Sequence, residues 1–152
     1  MNIDAYDSKL LTILQKDARA SWAELAAASG LTAPAVAERV RKLKERGVIR
    51  EFTARLDAEA LGAQLLAFVA VTLDEPRHRA GFLKMVRKLA EVQECHHLAG
   101  DFDYLLKVRT AGTKELEHFL SNVLKGTTGV ARTRTTIVLG TAKETAHLAV
   151  RK

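Results

Sequence analysis

The segment LTAPAVAERVRKLKERGVIR, residues 31–50, predicts a helix with two different faces. Val36, Val40 and Leu43 recur at spacings of four and three residues, so they share one apolar stripe that would pack against a core. Gly47 is placed to end the helix in a left-handed conformation, which costs glycine little. The pattern therefore predicts a short helix with an apolar back and an opposite face that is open to a partner.

The open face carries small residues at its start and basic residues further along. Residues 39–50 contain six Lys or Arg and one acid, a local net charge of +5. Thr32 is expected to cap the helix with its hydroxyl, and Pro34 lies where no backbone N–H is needed. Such a helix fits the major groove of double-stranded DNA, although a solvated face on an ordinary helix shows the same charges. The candidate DNA contacts are Thr32, Pro34, Ala35, Glu38, Arg39, Arg41 and Lys42.

Two further helices are predicted before this one. Asp4 is placed to cap the first helix, and Asp7 adds a negative charge to its first turn, where the helix dipole favours one. Ser21 and Glu24 have the spacing of a capping box at the start of a second, alanine-rich helix. Gly30 then makes a tight turn into the basic helix. Two helices joined by such a turn, the second basic on its outer face, predict a helix-turn-helix.

These residues resemble the Lrp/AsnC family of bacterial and archaeal transcription regulators, and the resemblance continues to the C-terminus. The family often has serine where this chain has Thr32, a change that keeps the hydroxyl. The resemblance implies an N-terminal DNA-binding domain, a linking strand and a C-terminal ligand-sensing domain of ferredoxin-like fold that also assembles the oligomer. The matching residues are Asp7, Ile13-Leu14, Asp17-Ala18-Arg19, Glu24-Leu25-Ala26, Gly30-Leu31-Thr32, Arg39-Val40, Leu43 and Gly47-Val48-Ile49.

The second half of the chain alternates strand and helix patterns. The order βαββαβ predicts a four-stranded antiparallel sheet with both helices on one face, and the whole chain is therefore expected to be α+β. Thr113 is expected to cap the second of these helices. The predicted strands are residues 65–73, 92–99, 103–110 and 130–139. The predicted domains are a helix-turn-helix at 1–48, a linking strand and polar connection at 49–62, and a sensing and oligomerisation domain at 63–152.

The first predicted strand is apolar on both faces. Alternate residues from Leu65 point one way, while Leu66, Phe68 and Ala70 point the other. Helices can cover only one of those faces, so the other needs a partner. We therefore expect a homo-oligomer with a dimer as its unit, and the family resemblance extends the expectation to tetramers or octamers.

The stretch GDFDY, residues 100–104, joins the second and third strands. By itself it is a tight connection, in which Gly100 would adopt a positive φ and Asp101 would hold the turn. The stretch also resembles a signature of the family's sensing domain, where this loop lies between dimers and helps form a pocket for a small effector, usually an amino acid. Asp103 is the expected partner of an α-ammonium group. The candidate effector-binding residues are Gly100, Asp101, Phe102, Asp103 and Tyr104.

Composition and the remaining motifs exclude several classes of site. The single cysteine rules out an intramolecular disulfide and thiolate metal clusters. His96 and His97 are adjacent on a strand and so face opposite ways, which argues against a shared metal. Neither a nucleophile–base motif nor a phosphate-binding glycine loop is recognisable. No metal, cofactor or catalytic residue is therefore expected.

The same features bear on location and on the choice between regulator and enzyme. The N-terminus lacks the pattern of a signal peptide, and the most apolar run, residues 61–73, is too short to span a bilayer, so we expect a cytoplasmic protein without a membrane partner. The net charge of +6 is compatible with a polyanion such as DNA. A minority of Lrp-like proteins are decarboxylases of a haem-precursor tetrapyrrole, which leaves an enzyme as the alternative. The basic helix argues against it.

Overall fold

The computed structural model describes residues 3–150 and divides them into two compact units. One unit comprises the described residues up to Arg55 together with those from Lys143 onward, and the other comprises Leu56–Ala142. The division differs from the predicted domains, because the C-terminal segment lies with the helical unit. None of the helices within residues 3–150 is long and apolar enough to cross a bilayer.

The first unit contains three helices: α1 (Ala5–Lys16), α2 (Trp22–Ser29) and α3 (Ala33–Glu45). The predicted caps of the first two are confirmed. Asp4 and Asp7 form a capping box at the start of α1, and Ser21 and Glu24 form one at the start of α2. Gly30 ends α2 with a φ of +76°, which reverses the chain within one residue. Local hydrogen bonding in the sequence therefore sets where the first two helices begin.

The apolar back of α3 is buried as predicted. Val36, Val40 and Leu43 are each at most 2% exposed, and Val36 and Val40 share a core with Leu10 of α1 and Leu25 of α2. At the other end of α3, Gly47 has a φ of +70°. Its N–H and that of the next residue bond back to carbonyls of the last turn, which satisfies groups the helix end leaves free.

Two local predictions in this unit are wrong. Thr32 lies at the N-cap of α3 with extended backbone, but its hydroxyl caps no backbone N–H of the described helix. Residues 49–56 do not form the predicted linking strand, because a strand requires a neighbour for its backbone hydrogen bonds and no described segment pairs with them. The polar connection that follows is a series of turns that Asp57 stabilises by accepting the N–H of Glu59 at 2.9 Å.

The C-terminal segment is held against the first unit by polar contacts. Gln15 of α1 both accepts the backbone N–H of Leu148 at 2.6 Å and donates to its carbonyl at 3.1 Å. Arg55 pairs with the carboxylate of Glu144 at 2.9 Å and also donates to its carbonyl. These contacts place residues from 143 onward with the helices rather than with the sheet.

The second unit is the predicted four-stranded antiparallel sheet. Its elements are β1 (Leu65–Leu73), α4 (Arg79–Val86), β2 (Val92–His97), β3 (Tyr104–Thr110), α5 (Thr113–His118) and β4 (Val130–Ile137). The strands lie in the order β2-β3-β1-β4. Three predicted strand ends are wrong by one or two residues: the last residues of β2 and β4 and the first residue of β3. Such differences are usual where a strand passes into a turn. Gly112, not Thr113, is the N-cap of α5, which continues as a π-helix over Phe119–Leu124.

Both helices cover one face of the sheet, as predicted. Ala67, Val69 and Val71 of β1 are fully buried in a core with Phe82 of α4 and Phe119 at the end of α5. The alternate residues of β1 therefore form the opposite face, which the described helices do not cover. On that face, Phe68 of β1 is only half-buried. We call the opposite side, carried on β1 by Leu66, Phe68, Ala70 and Thr72, the open face of the sheet.

Candidate nucleic-acid interface and sensing loop

The outward face of α3 carries a network of ion pairs centred on Glu38. Its carboxylate accepts two hydrogen bonds from Arg41, at 2.7 and 2.8 Å, and lies 3.3 Å from Nζ of Lys42. Arg41 also pairs with Glu45 one turn further along. These side chains are 47–59% exposed. Arg41 and Lys42, two of the three cations expected to contact DNA, are therefore already paired within the helix.

The charges in this network stabilise one another. The Arg41 guanidinium lowers the pKa of Glu38 to about 2, and Glu38 in turn raises the pKa of Arg41. Exposed pairs of this kind contribute little to stability because water and salt screen them. A phosphate can therefore replace Glu38 as the partner of Arg41 or Lys42 at small cost.

Arg39 faces α1 rather than solvent. Its Nη1 donates to Oδ2 of Asp4 at 2.7 Å and to Oδ1 of Asp7 at 2.8 Å, and its guanidinium lies 5.3 Å from the ring centroid of Tyr6. The pKa of Asp4 is lowered, first by the backbone N–H of Asp7 and then by Arg39. Arg39 thus joins the start of α1 to the middle of α3.

The start of α3 presents small and apolar groups. Thr32 and Pro34 are exposed and Ala35 is half-buried. Pro34 lies in the first turn, as predicted. Because the Thr32 hydroxyl caps none of the described helix, it is left at the surface beside the free N–H groups of that turn. The helix thus has a low-profile N-terminus followed by paired charges.

The loop at residues 100–104 differs from its predicted geometry. Gly100 has no positive φ, and a Cβ added there would meet nothing within 4 Å. Asp103, rather than Asp101, holds the turn: its Oδ2 accepts the N–H of Leu73 at 2.7 Å, and its own N–H donates to Val71 at 3.0 Å. The loop is therefore fixed by β1, which is distant in sequence. Turn preferences of neighbouring residues do not predict such a contact.

The remaining loop residues differ in accessibility. Tyr104 is 2% exposed, with its ring 4.9 Å from that of Phe82, so it belongs to the core. Phe102 is half-buried, and the guanidinium of Arg132 on β4 lies 4.8 Å from its ring centroid. The Asp101 carboxylate is exposed and bonds to no group within residues 3–150, while its carbonyl accepts from Arg132 at 3.4 Å. Asp101, Phe102 and Arg132 therefore form the accessible part of the loop.

A cavity of about 540 Å³ lies at the other end of β3 from this loop. It is lined by residues at the end of β3 and in the α4–β2 connection, by residues of α5 and by the turn before β1, including Glu91, Arg109, Lys114 and His118. It is wide and open to solvent, and none of the predicted effector residues reaches it. Arg109 already has an interaction partner within the protein.

The histidines follow the sequence prediction. His96 is 2.9 Å from the Glu94 carboxylate, whereas the His97 ring lies 5.2 Å from that of buried Tyr104, so the two rings face opposite sides of the sheet. Residues 3–150 contain no group of three or more His, Cys, Asp or Glu arranged to hold a metal ion.

Comparison with known proteins identifies both units of the chain. Residues 3–44 match the AsnC-type helix-turn-helix domain, and residues 66–148 match the Lrp/AsnC ligand binding domain. The chain belongs to the Lrp/AsnC family. Among its curated Lrp/AsnC relatives, HTH-type transcriptional regulator FL11 from Pyrococcus abyssi (strain GE5 / Orsay) is 38% identical over 151 residues, 99% of either chain. Leucine-responsive regulatory protein from Escherichia coli (strain K12) is 40% identical over 152 residues, covering 99% of this chain and 93% of that one.

Solved structures of Lrp/AsnC proteins agree with this assignment. A transcriptional regulator from Neisseria meningitidis in complex with L-Met superposes with a TM-score of 0.92 at 30% identity, covering 97% of this chain and 96% of that one. The feast or famine regulatory protein from M. tuberculosis, complexed with L-methionine, gives a TM-score of 0.90 at 37% identity, with 98% and 100% coverage.

These findings establish that the chain is an Lrp/AsnC transcriptional regulator with a DNA-binding helix-turn-helix domain and a ligand-binding domain. The alternative raised from the sequence, a tetrapyrrole decarboxylase, finds no support, because the relatives described above are named as regulators.

Proposed function

We propose that this regulator binds specific DNA sequences through α3 and that its DNA binding responds to a free amino acid. The observation that carries the proposal is the form of α3, whose apolar side is buried and whose other side begins with small groups and continues with exposed cations. This is the arrangement by which a recognition helix enters the major groove with its N-terminus toward the bases.

The residues of α3 divide into three roles under this proposal. Thr32, Pro34 and Ala35 let the helix approach the base edges closely, and Glu38 accepts from a cytosine amino group or holds its neighbouring cations in place. Arg41 and Lys42 contact phosphates. Arg39, which the sequence placed among the DNA contacts, instead fixes α3 against α1 through its pair with Asp7.

Two lines of support favour an amino-acid effector: the ligands of related regulators and the side chains of the loop at residues 100–104. Two related regulators were solved with L-methionine bound. In this chain, the exposed Asp101 carboxylate offers a partner for an α-ammonium group, and the half-buried Phe102 ring offers an apolar surface for a side chain. Asp103 stabilises the loop by accepting a hydrogen bond from the N–H of Leu73.

The assembly proposal rests on the open face of the sheet. On this face Phe68 is half-buried and Leu66 is buried beside it, and their partners on β3 and β4 are polar. An apolar centre with a polar rim is typical of an interface between copies. A symmetric dimer carries two copies of α3, which then read half-sites about one helical turn apart or a multiple of it. An effector acts on DNA binding by favouring one arrangement of the copies over another.

Two experiments test the proposed function. Selection of bound duplexes from a random pool should recover a palindromic site with half-sites spaced by about one turn or a multiple. A thermal-shift screen of the twenty amino acids should raise the melting temperature for one or a few of them, because a ligand that binds only the folded state stabilises it. Recovery of unrelated sequences would overturn specific DNA binding, and twenty flat melting curves would overturn the amino-acid effector.

A further inference from the structure

Arg132 makes a contact that crosses the sheet. It lies on β4, and the strand order β2-β3-β1-β4 places β1 between it and the connection that joins β2 to β3. Its guanidinium nevertheless reaches that connection, where it lies over the Phe102 ring at 4.8 Å and donates to the Asp101 carbonyl at 3.4 Å. The side chain therefore passes over the end of β1.

The residue of β1 beneath this crossing carries an unpaired hydroxyl. Thr72 is the register partner of Arg132, so both side chains lie on the open face. The Thr72 hydroxyl oxygen is buried and has no hydrogen-bond partner among residues 3–150. A buried hydroxyl without a partner costs free energy, and such a group in a native protein calls for an explanation.

The Arg132 crossing and the unpaired Thr72 hydroxyl both bear on the loop of the proposed effector site. Arg132 has five N–H donors, and the described contacts use one of them, to a neutral carbonyl at long range. Its planar guanidinium suits a carboxylate, which it can bind through two parallel hydrogen bonds. The exposed Asp101 carboxylate lies on the same loop and carries the opposite charge.

We infer that Arg132 binds the α-carboxylate of the effector and that the Thr72 hydroxyl donates a further hydrogen bond to the same group. The inference deepens the proposed amino-acid effector and rests on it. The ligand class is a free α-amino acid, with its carboxylate on Arg132 and its ammonium on Asp101. In the free protein the Phe102 ring and the Asp101 carbonyl hold the guanidinium, and the arriving carboxylate draws it away from them.

The test compares L-methionine with L-methioninamide, which lacks the negative charge, by calorimetric titration of the full-length protein. The parent should bind the acid at least about tenfold more tightly than the amide, as expected for a charge-assisted contact. Arg132→Gln should lose this preference while its affinity for the amide stays unchanged. Arg132→Lys should keep part of the preference, because it retains the charge without the planar fork.

Thr72→Val gives a second test, because it should change the stability of the free protein and its affinity for L-methionine in opposite directions. Removing an unpaired buried hydroxyl should raise the melting temperature of the free protein. The same substitution should weaken binding of L-methionine, because the bound carboxylate loses a donor. Lys88→Gln is the matched control: it removes an exposed cation of the same unit and should change neither measurement.

The possible failures are distinguishable. If the parent binds none of the twenty amino acids, the proposed effector class is wrong and this inference falls with it. If the parent binds L-methionine and Arg132→Gln binds it equally well with the same preference over the amide, the inference alone is overturned. If binding is instead lost in Lys114→Ala, the ligand occupies the cavity at the other end of β3, which also overturns the inference.

Discussion

The Nη1 atom of Arg39 lies 2.8 Å from Oδ1 of Asp7, and this pair joins the recognition helix α3 to the first turn of α1. The Asp7 side chain is 9% exposed and that of Arg39 is 32% exposed, so the pair is less screened than those on the outer face of α3. Arg39, a candidate DNA contact from its position in a basic segment, therefore also links α3 to α1 in the free protein.

Replacing Arg39 with alanine should lower the free energy of unfolding by about 1–2 kcal/mol, because it leaves the carboxylate of Asp7 without its cation. Chemical denaturation followed by circular dichroism measures this. Lys9→Ala, which removes an exposed cation from α1, is the control and should have no effect. Equal stabilities for Arg39→Ala and Lys9→Ala would show that the pair does not anchor α3.

Replacing Glu38 with glutamine should strengthen binding to unrelated DNA sequences and reduce the preference for the specific site. The substitution removes the carboxylate that holds Lys42 and one of the two that hold Arg41, so both cations become more available to any phosphate. Fluorescence anisotropy with specific and random duplexes at several salt concentrations measures both affinities. Weaker binding to random DNA in this variant would contradict the proposed competition.

The pH dependence of this effect follows from the pKa of Glu38, which is about 2. A carboxylate with a depressed pKa contributes its interactions above its unfolded pKa and loses them only as the pH falls through the folded value. The ratio of parent to Glu38→Gln affinity should therefore stay constant between pH 5 and pH 8. A ratio that changes within that window would mean that another group controls the network.

Replacing Arg41 or Lys42 with alanine should weaken binding to all DNA sequences by a similar factor. Each lost phosphate contact lowers the slope of log affinity against log salt concentration by about one. Titrations at four or more salt concentrations, with Lys9→Ala as the control for overall charge, determine the slope. If both variants bind like the parent at every salt concentration, the proposed docking of α3 is wrong.

Substitutions at neighbouring positions of β1 should separate assembly from folding. Phe68→Glu places a charge on the open face and should give a folded monomer. Val69→Glu buries a charge in a fully closed core and should cost about 4 kcal/mol or more, which most single domains do not tolerate. Sedimentation and circular dichroism distinguish the outcomes. A Phe68→Glu protein that sediments like the parent would exclude this face as the interface.

The two acidic residues of the loop should respond differently to substitution. Asp103→Ala removes the acceptor for the N–H of Leu73 and should cost about 1 kcal/mol of stability, whereas Asp103→Asn keeps an acceptor and should cost less. Asp101→Asn should leave stability unchanged and weaken the effector response. Thermal melts with and without L-methionine measure both effects. A normal response in Asp101→Asn would move the ammonium partner to another residue.

The sequence alone determined the features that depend on local hydrogen bonds and on periodicity. The capping residues of α1 and α2, the buried stripe of α3 and the left-handed turn at Gly47 were all predictable, because each involves groups within a few residues of one another. The two apolar faces of β1 were predictable from alternation. The alternation did not reveal which face the helices cover, and the structure shows that Val69 lies on it.

Only the tertiary structure decided the partners of the charged side chains. Arg39 pairs with Asp7 because α1 and α3 pack together, and Asp103 accepts from the N–H of Leu73 because β1 runs beside the loop. Arg132 reaches Phe102 because only β1 lies between β4 and β3, the strand that follows the loop. Long charged side chains have many rotamers and reach several ångströms, so sequence spacing does not select among their possible partners. The packing of distant segments makes that selection, and it determines which basic residues of α3 remain exposed at the surface.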